Sequence, residues 1–273
     1  MRLVRLFSAF VVLVVFGWSS GASALPVNNP ITSGLVAAYE FSGNADDVSG
    51  NGNDGVVNGA TPTADRFGNP NSAYSFDGVD DRIELGAVLG GLSTYTKSIW
   101  VLPNNTTNGV LFQTPNGNIT LNHTSPSFSE VVGVEILEDR AGGVTGNPHT
   151  RFNYSYSTAP PSGSWVHVAF VARSDNTGDL YLNGVSVPSG PWITDGGVVS
   201  DTPFSVIGSK YRSNRPTDYA GFAGALIDDV YVYDRALSSA EVLALYSAVP
   251  EPNTALLLGL GLAGMAAGRR RIR

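Results

Sequence analysis

The side chains best suited to hold a ligand are acids and amides concentrated in two short stretches. Asp46, Asp47, Asn51, Asn53 and Asp54 crowd the segment Ser42-Gly-Asn-Ala-Asp-Asp-Val-Ser-Gly-Asn-Gly-Asn-Asp-Gly55. Its Asn-Gly and Asp-Gly steps supply the positive φ of a tight loop, which can turn backbone carbonyls inward. Asp228 and Asp229 interrupt an otherwise apolar strand pattern, and carboxylates in such a place need partners before they can be buried. Ca2+ gathers about six to eight hard oxygens of this kind. The expected site is a structural Ca2+ held by Asp47, Asn51, Asn53, Asp228 and Asp229. Strand alternation puts Asp228 with Val230 and Val232 on one face and Asp229 with Tyr231 and Tyr233 on the other. One carboxylate of the pair, and not both, is therefore expected to face the ion. The alternative is a solvated turn capped by its own Asp and Asn side chains, with the strand pair matched to Arg235 or Arg82. The cluster from Asp77 to Asp81 has the same two readings, and Asp77-Gly78 is first of all a turn.

Catalytic patterns are scarce. Glycosidases need two carboxyl groups on one face of a cleft. The nearest stretch, Glu130 to Glu138, has Glu135 and Glu138 three apart, an odd spacing that divides them between the two faces of a strand. There is no Gly-x-Ser-x-Gly elbow and no His-Glu-x-x-His. His123, His149 and His167 are scattered, and His167 alternates with Trp165 and Ala169 as a packed or surface strand residue would. The expectation is a protein that is not an enzyme. Aromatic rings in irregular polar segments could instead stack on sugar CH faces. Trp192, Tyr211 and Tyr219 are the candidate ligand-binding residues, whereas Trp100 and Trp165 sit inside good strands and read as core.

These groups need a β framework to hold them. Gly34 to Phe41, Ala73 to Leu85, Tyr95 to Val101, Gly109 to Gln113, Gly117 to Leu121, Trp165 to Ala172, Asp179 to Val187 and Phe222 to Tyr233 read as short strands separated by Gly, Pro, Asn and Asp. Asn183-Gly184 is a strong hairpin signal. Ser238 to Tyr246 alone reads as helix, opened by a capping box of Ser238 and Glu241. Strands every eight to twelve residues or so imply an all-β antiparallel sandwich or jelly roll.

The two ends differ from this body. Arg2 and Arg5, the apolar run Leu6 to Trp18 and Ala22-Ser-Ala24 form a secretory signal peptide, residues 1–24, cleaved after Ala24. Residues 25–248 form the single domain. In the last segment, residues 249–273, Pro250-Glu-Pro252 precedes an apolar run from Thr254 to Gly268 and the basic end Arg269-Arg-Arg-Ile-Arg273. The run is short for a hydrocarbon core that takes about 20 residues, so it suits a temporary anchor with its arginines on the cytoplasmic side. A signal helix and a C-terminal hydrophobic helix are thus expected outside the domain. Net charge is −7, and six of the 16 basic residues lie in the two ends, leaving ten against 23 acidic residues. That balance disfavours nucleic acid as a partner. The absence of cysteine excludes disulfides and thiolate chemistry.

Two resemblances follow from these residues. Pro250, Glu251, Pro252, the apolar run and Arg269, Arg270 and Arg271 resemble a PEP-CTERM sorting tail, which implies an exosortase-type processing protease as partner. Gly34 to Phe41, Ser49 to Gly55, Tyr74 to Glu84, Trp165 to Ala169, Leu180 to Gly184 and Gly224 to Leu237 resemble, in order, bacterial laminin-G-like, concanavalin A-like domains. The likeness implies a two-sheet jelly roll that binds carbohydrate or protein, often with calcium, and that brings the two acidic segments together. The stretch from Gly109 to Pro161 matches poorly. The expected function is an exported binding or extracellular-matrix protein at the cell envelope, transiently anchored in the inner membrane and contacting polysaccharide or surface protein. The alternatives are a divergent carbohydrate-active hydrolase or lyase, and a structural surface protein without a specific ligand.

Overall fold

The alternation of apolar residues divides each long strand between two surfaces. In β11 (Val166–Ala172), Val166, Val168, Phe170 and Ala172 enter the main core, while Ala169 and Val171 join a second cluster. The computed structural model describes residues 29–86, 88, 92, 94–104, 109–115, 117–121, 134–139, 149–153, 163–174, 177–187, 204–212 and 215–248. The leader, Trp192, the two expected terminal helices and the sorting residues Pro250, Glu251, Pro252, Arg269, Arg270 and Arg271 lie outside them. Among the described residues no helix is long and apolar enough to cross a membrane.

The first strands are β1 (Leu35–Tyr39), β2 (Val56–Asn58), β3 (Thr61–Thr63), β4 (Ala73–Asp77), β5 (Arg82–Leu85) and β6 (Tyr95–Pro103). Then come β7 (Gly109–Thr114), β8 (Gly117–Leu121), β9 (Val134–Asp139) and β10 (His149–Asn153). After β11 follow β12 (Gly178–Leu182), β13 (Val185–Val187), β14 (Ser205–Ile207), β15 (Lys210–Arg212), β16 (Arg215–Ala220) and β17 (Gly224–Tyr233). One helix, α1 (Ser239–Ser247), closes the domain. One sheet runs β13-β12-β11-β6-β17-β4-β3, with β1 also on β17; the other runs β10-β9-β8-β7-β14-β5-β2. Every pairing is antiparallel. The result is the expected two-sheet sandwich.

The main core lies between the sheets. Ile99, Val101, Phe170, Ile227, Val230 and Val232 from the first sheet meet Ile83, Leu85, Phe112, Ile119 and Ile207 from the second. Helix α1 covers the opposite, outer face of the first sheet, burying Val242 and Leu245 with Tyr181, Tyr231, Tyr233 and Leu237. Full burial of two such aliphatic side chains stabilises by roughly 1.5–3 kcal/mol each. The capping box forms as expected: the Glu241 N–H donates to Ser238 Oγ, and the Ser238 N–H donates to Glu241 Oε2. Asn183 and Gly184 both have positive φ, the requirement of a tight hairpin turn, and join β12 to β13.

The stretch from Ala73 to Leu85 forms two short strands around the turn at Asp77-Gly78, as expected. The chain crosses from one sheet to the other at Asp77-Gly78, so β4 pairs with β17 while β5 pairs with β14. Tyr211 and Tyr219, read as irregular, lie on a two-stranded ribbon of β15 and β16. That ribbon has too few apolar alternations for its pattern to be visible.

Candidate functional site

The loop from Ser42 to Gly55 is held by its own donors. Asp47 is buried and accepts from four N–H groups: Ala38 and Ser49 on Oδ1, and the backbone and side chain of Asn53 on Oδ2. Asp54 Oδ1 accepts from the Asp47 N–H at 2.9 Å. Asn51 and Asn53 both donate their amide N–H to the Val36 carbonyl on β1. The Tyr39 hydroxyl donates to the Asn53 carbonyl at 2.7 Å. Asp47 therefore acts as the hub that fastens the loop to β1.

Asp228 and Asp229 lie at a β-bulge. In the β17–β6 register, Asp228 faces Trp100 and Tyr231 faces Ser98, so Asp229 and Val230 together oppose Ile99. Asp229 takes φ 42 to make this possible. The bulge reverses the inward phase of the strand: Ala225 and Ile227 enter the core before it, Val230 and Val232 after it. Both aspartates consequently reach the same partner. Arg66 Nη1 lies 2.8 Å from Asp228 Oδ2 and 2.5 Å from Asp229 Oδ2, and all three side chains are almost fully buried. Strand alternation, which would send the two side chains to opposite faces, is broken here because it holds only for an unbroken ladder.

Arg66 was not legible as the partner; the alternative reading had named Arg235 or Arg82. Arg235 pairs instead with Glu241, and Arg82 with Glu84. The Arg66 guanidinium also stacks on Trp100 at 4.5 Å and on Phe67 at 4.4 Å. Burial and the neighbouring Asp229 push the Asp228 carboxyl well above the usual carboxylate range, against the opposing pull of Arg66. His167 packs beside Trp100, ring centroids 5.3 Å apart, and its Nε2 lies 2.8 Å from Ser98 Oγ. Burial, and then the Arg66 charge, lower its pKa to about 3, so the ring is neutral. Ser98 and His167 are both fully buried, which makes their contact a packing hydrogen bond closed to substrate.

The five residues expected to share Ca2+ do not fit one coordination shell in this arrangement. A guanidinium occupies the position a cation would take between Asp228 and Asp229. Both Asp47 oxygens are taken by N–H donors, and Asn51 and Asn53 present amide hydrogens to Val36. Among the described residues Asp77, Asp80 and Asp81 do bring oxygens within 4.8 Å of one another. Asp77 Oδ1, however, accepts from the Val79 N–H and Asp81 Oδ2 from the Asp77 N–H, as in a self-capped turn.

The aromatic candidates come together elsewhere. On β5, Ile83 and Leu85 point into the core, which places Arg82 and Glu84 on the outer face of the second sheet. Val206 stands in register between Glu84 and Gln113 and is fully buried, yet lies outside the main core. The β15–β16 ribbon covers that face. The Tyr211 N–H donates to Gln113 Oε1 at 2.6 Å. Tyr211 and Tyr219 have ring centroids 4.5 Å apart, and the Tyr219 hydroxyl donates to that of Tyr211 at 3.0 Å. The Arg82 guanidinium lies 4.0 Å above the Tyr219 ring and 2.9 Å from Glu84. Phe204, exposed, extends the surface at 5.8 Å from Tyr211. Burial first, then hydrogen bonds with Tyr211 and Glu84, raise the Tyr219 pKa, so the phenol stays neutral. Tyr211 is nearly buried and Tyr219 half-exposed, so Tyr219, Arg82 and Phe204 form the accessible part of this shelf. Trp192 cannot be assigned to it, since it lies outside the described residues.

Residues 77–243 match the family model of the Concanavalin A-like lectin/glucanases superfamily, of laminin-G type, over more than half of the 273 residues. The chain belongs to this superfamily. Residues 248–271 match the PEP-CTERM protein-sorting motif, so the protein is a secreted, envelope-targeted member with a C-terminal sorting tail of the kind an exosortase processes. Among solved structures the fold is similar to domain 4 of AbnA, a GH43 extracellular arabinanase from Geobacillus stearothermophilus, in complex with arabinotriose. That likeness has a TM-score of 0.55 and 21% identity over 78% of this chain and 98% of that one. It is also similar to the botulinum neurotoxin serotype D binding domain, with a TM-score of 0.55 and 15% identity over 80% of this chain and 52% of that one. The chain thus spans about half the length of the neurotoxin domain. Another structure of the serotype D ligand-binding domain, in complex with N-acetylneuraminic acid, is similar at a TM-score of 0.55 and 14% identity, over 79% of this chain and 51% of that one. Among curated proteins nothing matches the chain.

Proposed function

We propose that the protein is an exported, non-catalytic binding module that contacts extracellular polysaccharide through the outer face of its second sheet. The observation that carries this reading is the shelf of Tyr219, Tyr211 and Phe204 flanked by the Arg82–Glu84 pair. Rings of this kind offer a flat apolar face to sugar CH groups. Arg82 and Glu84 add a fixed donor and a fixed acceptor for sugar hydroxyls beside that face. The AbnA domain of similar fold in complex with arabinotriose supports the same ligand class. Both the sorting tail and the acidic, cysteine-free composition suit a protein working outside the cell.

A glycan array probed with the exported chain, alongside Tyr219→Ala and Arg82→Ala, tests the reading. Binding to one class of glycan, lost in both variants and without release of new reducing ends, is the expected result. Release of product would replace it with a divergent hydrolase or lyase. Failure to bind any glycan would leave a structural surface protein or one whose ligand is a protein.

A further inference from the structure

The point where the sorting tail leaves the domain lies within a group of exposed apolar side chains. Ala248 is the last described residue, and its carbonyl accepts from Arg66 Nη2 at 3.4 Å. Arg66 stacks on Phe67 and Trp100, and Trp100 stacks in turn on Tyr246 at 5.6 Å. A Cβ built on Gly184 would lie 3.0 Å from Leu243 and 3.1 Å from Tyr246, so the β12–β13 turn borders the helix there and Val185 follows directly. Val185 is 64% exposed, Leu243 48%, Phe67 42% and Tyr246 36%. Between Arg235 and Ala248 the chain has one charge, Glu241, which is paired with Arg235 at 2.6 Å. Large apolar side chains gathered in this way on a soluble domain mark a contact surface.

Chain length says what that contact is. The apolar tail segment begins at Thr254, six residues after Ala248, and six residues span at most about 20 Å when fully extended. A tail anchored in a bilayer therefore holds the Ala248 end of the domain at the membrane surface. We infer that the face formed by Phe67, Val185, Leu243 and Tyr246 rests in the lipid interface while the tail is uncut, so that the outer face of the first sheet points at the membrane and the shelf on the second sheet points away. This rests on reading the tail as a membrane anchor. The physical basis is that of interfacial helices: apolar side chains without competing charge partition into the headgroup boundary. Cutting the tail would free the domain from the membrane and expose this face.

The chain has no cysteine, which makes site-directed spin labelling direct. The full chain, recovered from membranes after export and reconstituted in phosphatidylcholine vesicles, would carry a single label at Leu243→Cys, Val185→Cys, Val56→Cys or Leu257→Cys. Val56, 62% exposed on the edge strand β2 of the second sheet, is the aqueous control, and Leu257 reports on the tail. The expected result is a several-fold higher ratio of oxygen to nickel-chelate collisions at 243, 185 and 257 than at 56. A label at 257 in lipid with 243 and 185 as aqueous as 56 overturns the inference and leaves the anchor intact. A label at 257 in water overturns both. Shielding of 243 and 185 that persists in detergent-free solution without vesicles also overturns it, since the face would then be covered by protein.

Discussion

Arg66 and Arg82 each lie over an aromatic ring and beside a carboxylate, yet the two clusters end in opposite states. The Arg66 side chain is 6% exposed, bridges Asp228 and Asp229, and is sealed by Trp100, Phe67 and the end of α1. Arg82 is 23% exposed on the other sheet, with Glu84 at 33% and Tyr219 within reach of solvent. Residue types do not separate them; burial does. In the closed cluster water is excluded, so removing one charge leaves its partners buried without compensation. In the open one water competes for every group, so the pair adds little stability and remains available to a ligand.

The largest test of this contrast is Arg66→Met. It leaves two buried carboxylates without their cation and is expected to destabilise by about 3–5 kcal/mol, read as a fall in the denaturant midpoint. Arg82→Met should cost under about 1 kcal/mol. Equal losses would abolish the distinction. Next in size is the pH dependence of the closed side. His167 has its pKa lowered from 6.5 to about 3, so the unfolded chain takes up a proton first as pH falls, and stability drops below 6.5. From there to about pH 5, the wild type should lose roughly 2 kcal/mol more than His167→Gln. Asp228 works in the other direction. Its raised pKa makes the folded state the better proton binder, so its contribution is lost as pH rises above the ordinary carboxylate range. Asp228→Asn should therefore hold stability better on the alkaline side, and parallel curves for Asp228→Asn and wild type would show that Asp228 titrates normally.

On the open side, Tyr219→Ala is expected to weaken glycan binding about tenfold, equal to some 1.4 kcal/mol, with a smaller change in unfolding. A variant that unfolds without first losing affinity would place the shelf in the structural class with Arg66. The smallest expected effect is that of a chelator. With Arg66 already standing between Asp228 and Asp229 and Asp47 saturated by N–H donors, EDTA should leave the thermal midpoint in place. A midpoint raised by Ca2+ and lowered by EDTA would restore the calcium reading and show that the ion rearranges the loop.

Much of this was readable from the chain. Period-two alternation gave β11 and β12, Asn183-Gly184 gave their link to β13, and Ser238 with Glu241 gave the start of α1, because each depends on neighbours within a few residues. The crowding of Asp and Asn from Asp46 to Asp54 was visible, but not that Asp47 is filled by N–H donors from the backbone and from the Asn53 side chain. The bulge at Asp228-Asp229 left no local mark. One extra residue in β17 is defined only against β6, a strand more than a hundred residues earlier, and it moves both carboxylates to one face. Arg66 was missed for the same reason: it lies on a turn, Asp65 to Asn69, whose sequence says nothing of what stands opposite it.

Composition, periodicity and turn chemistry pointed by themselves to an antiparallel β-sandwich, since these are local or summed properties of the chain, and the sorting tail was legible by the resemblance of its last residues to a known motif. Tertiary structure alone decided which charges are buried together and which stay open, that the acidic pair meets an arginine, and that Tyr211 and Tyr219 touch. Those outcomes depend on strand register and on the desolvation of groups far apart in sequence, and a single slipped residue is enough to reverse them.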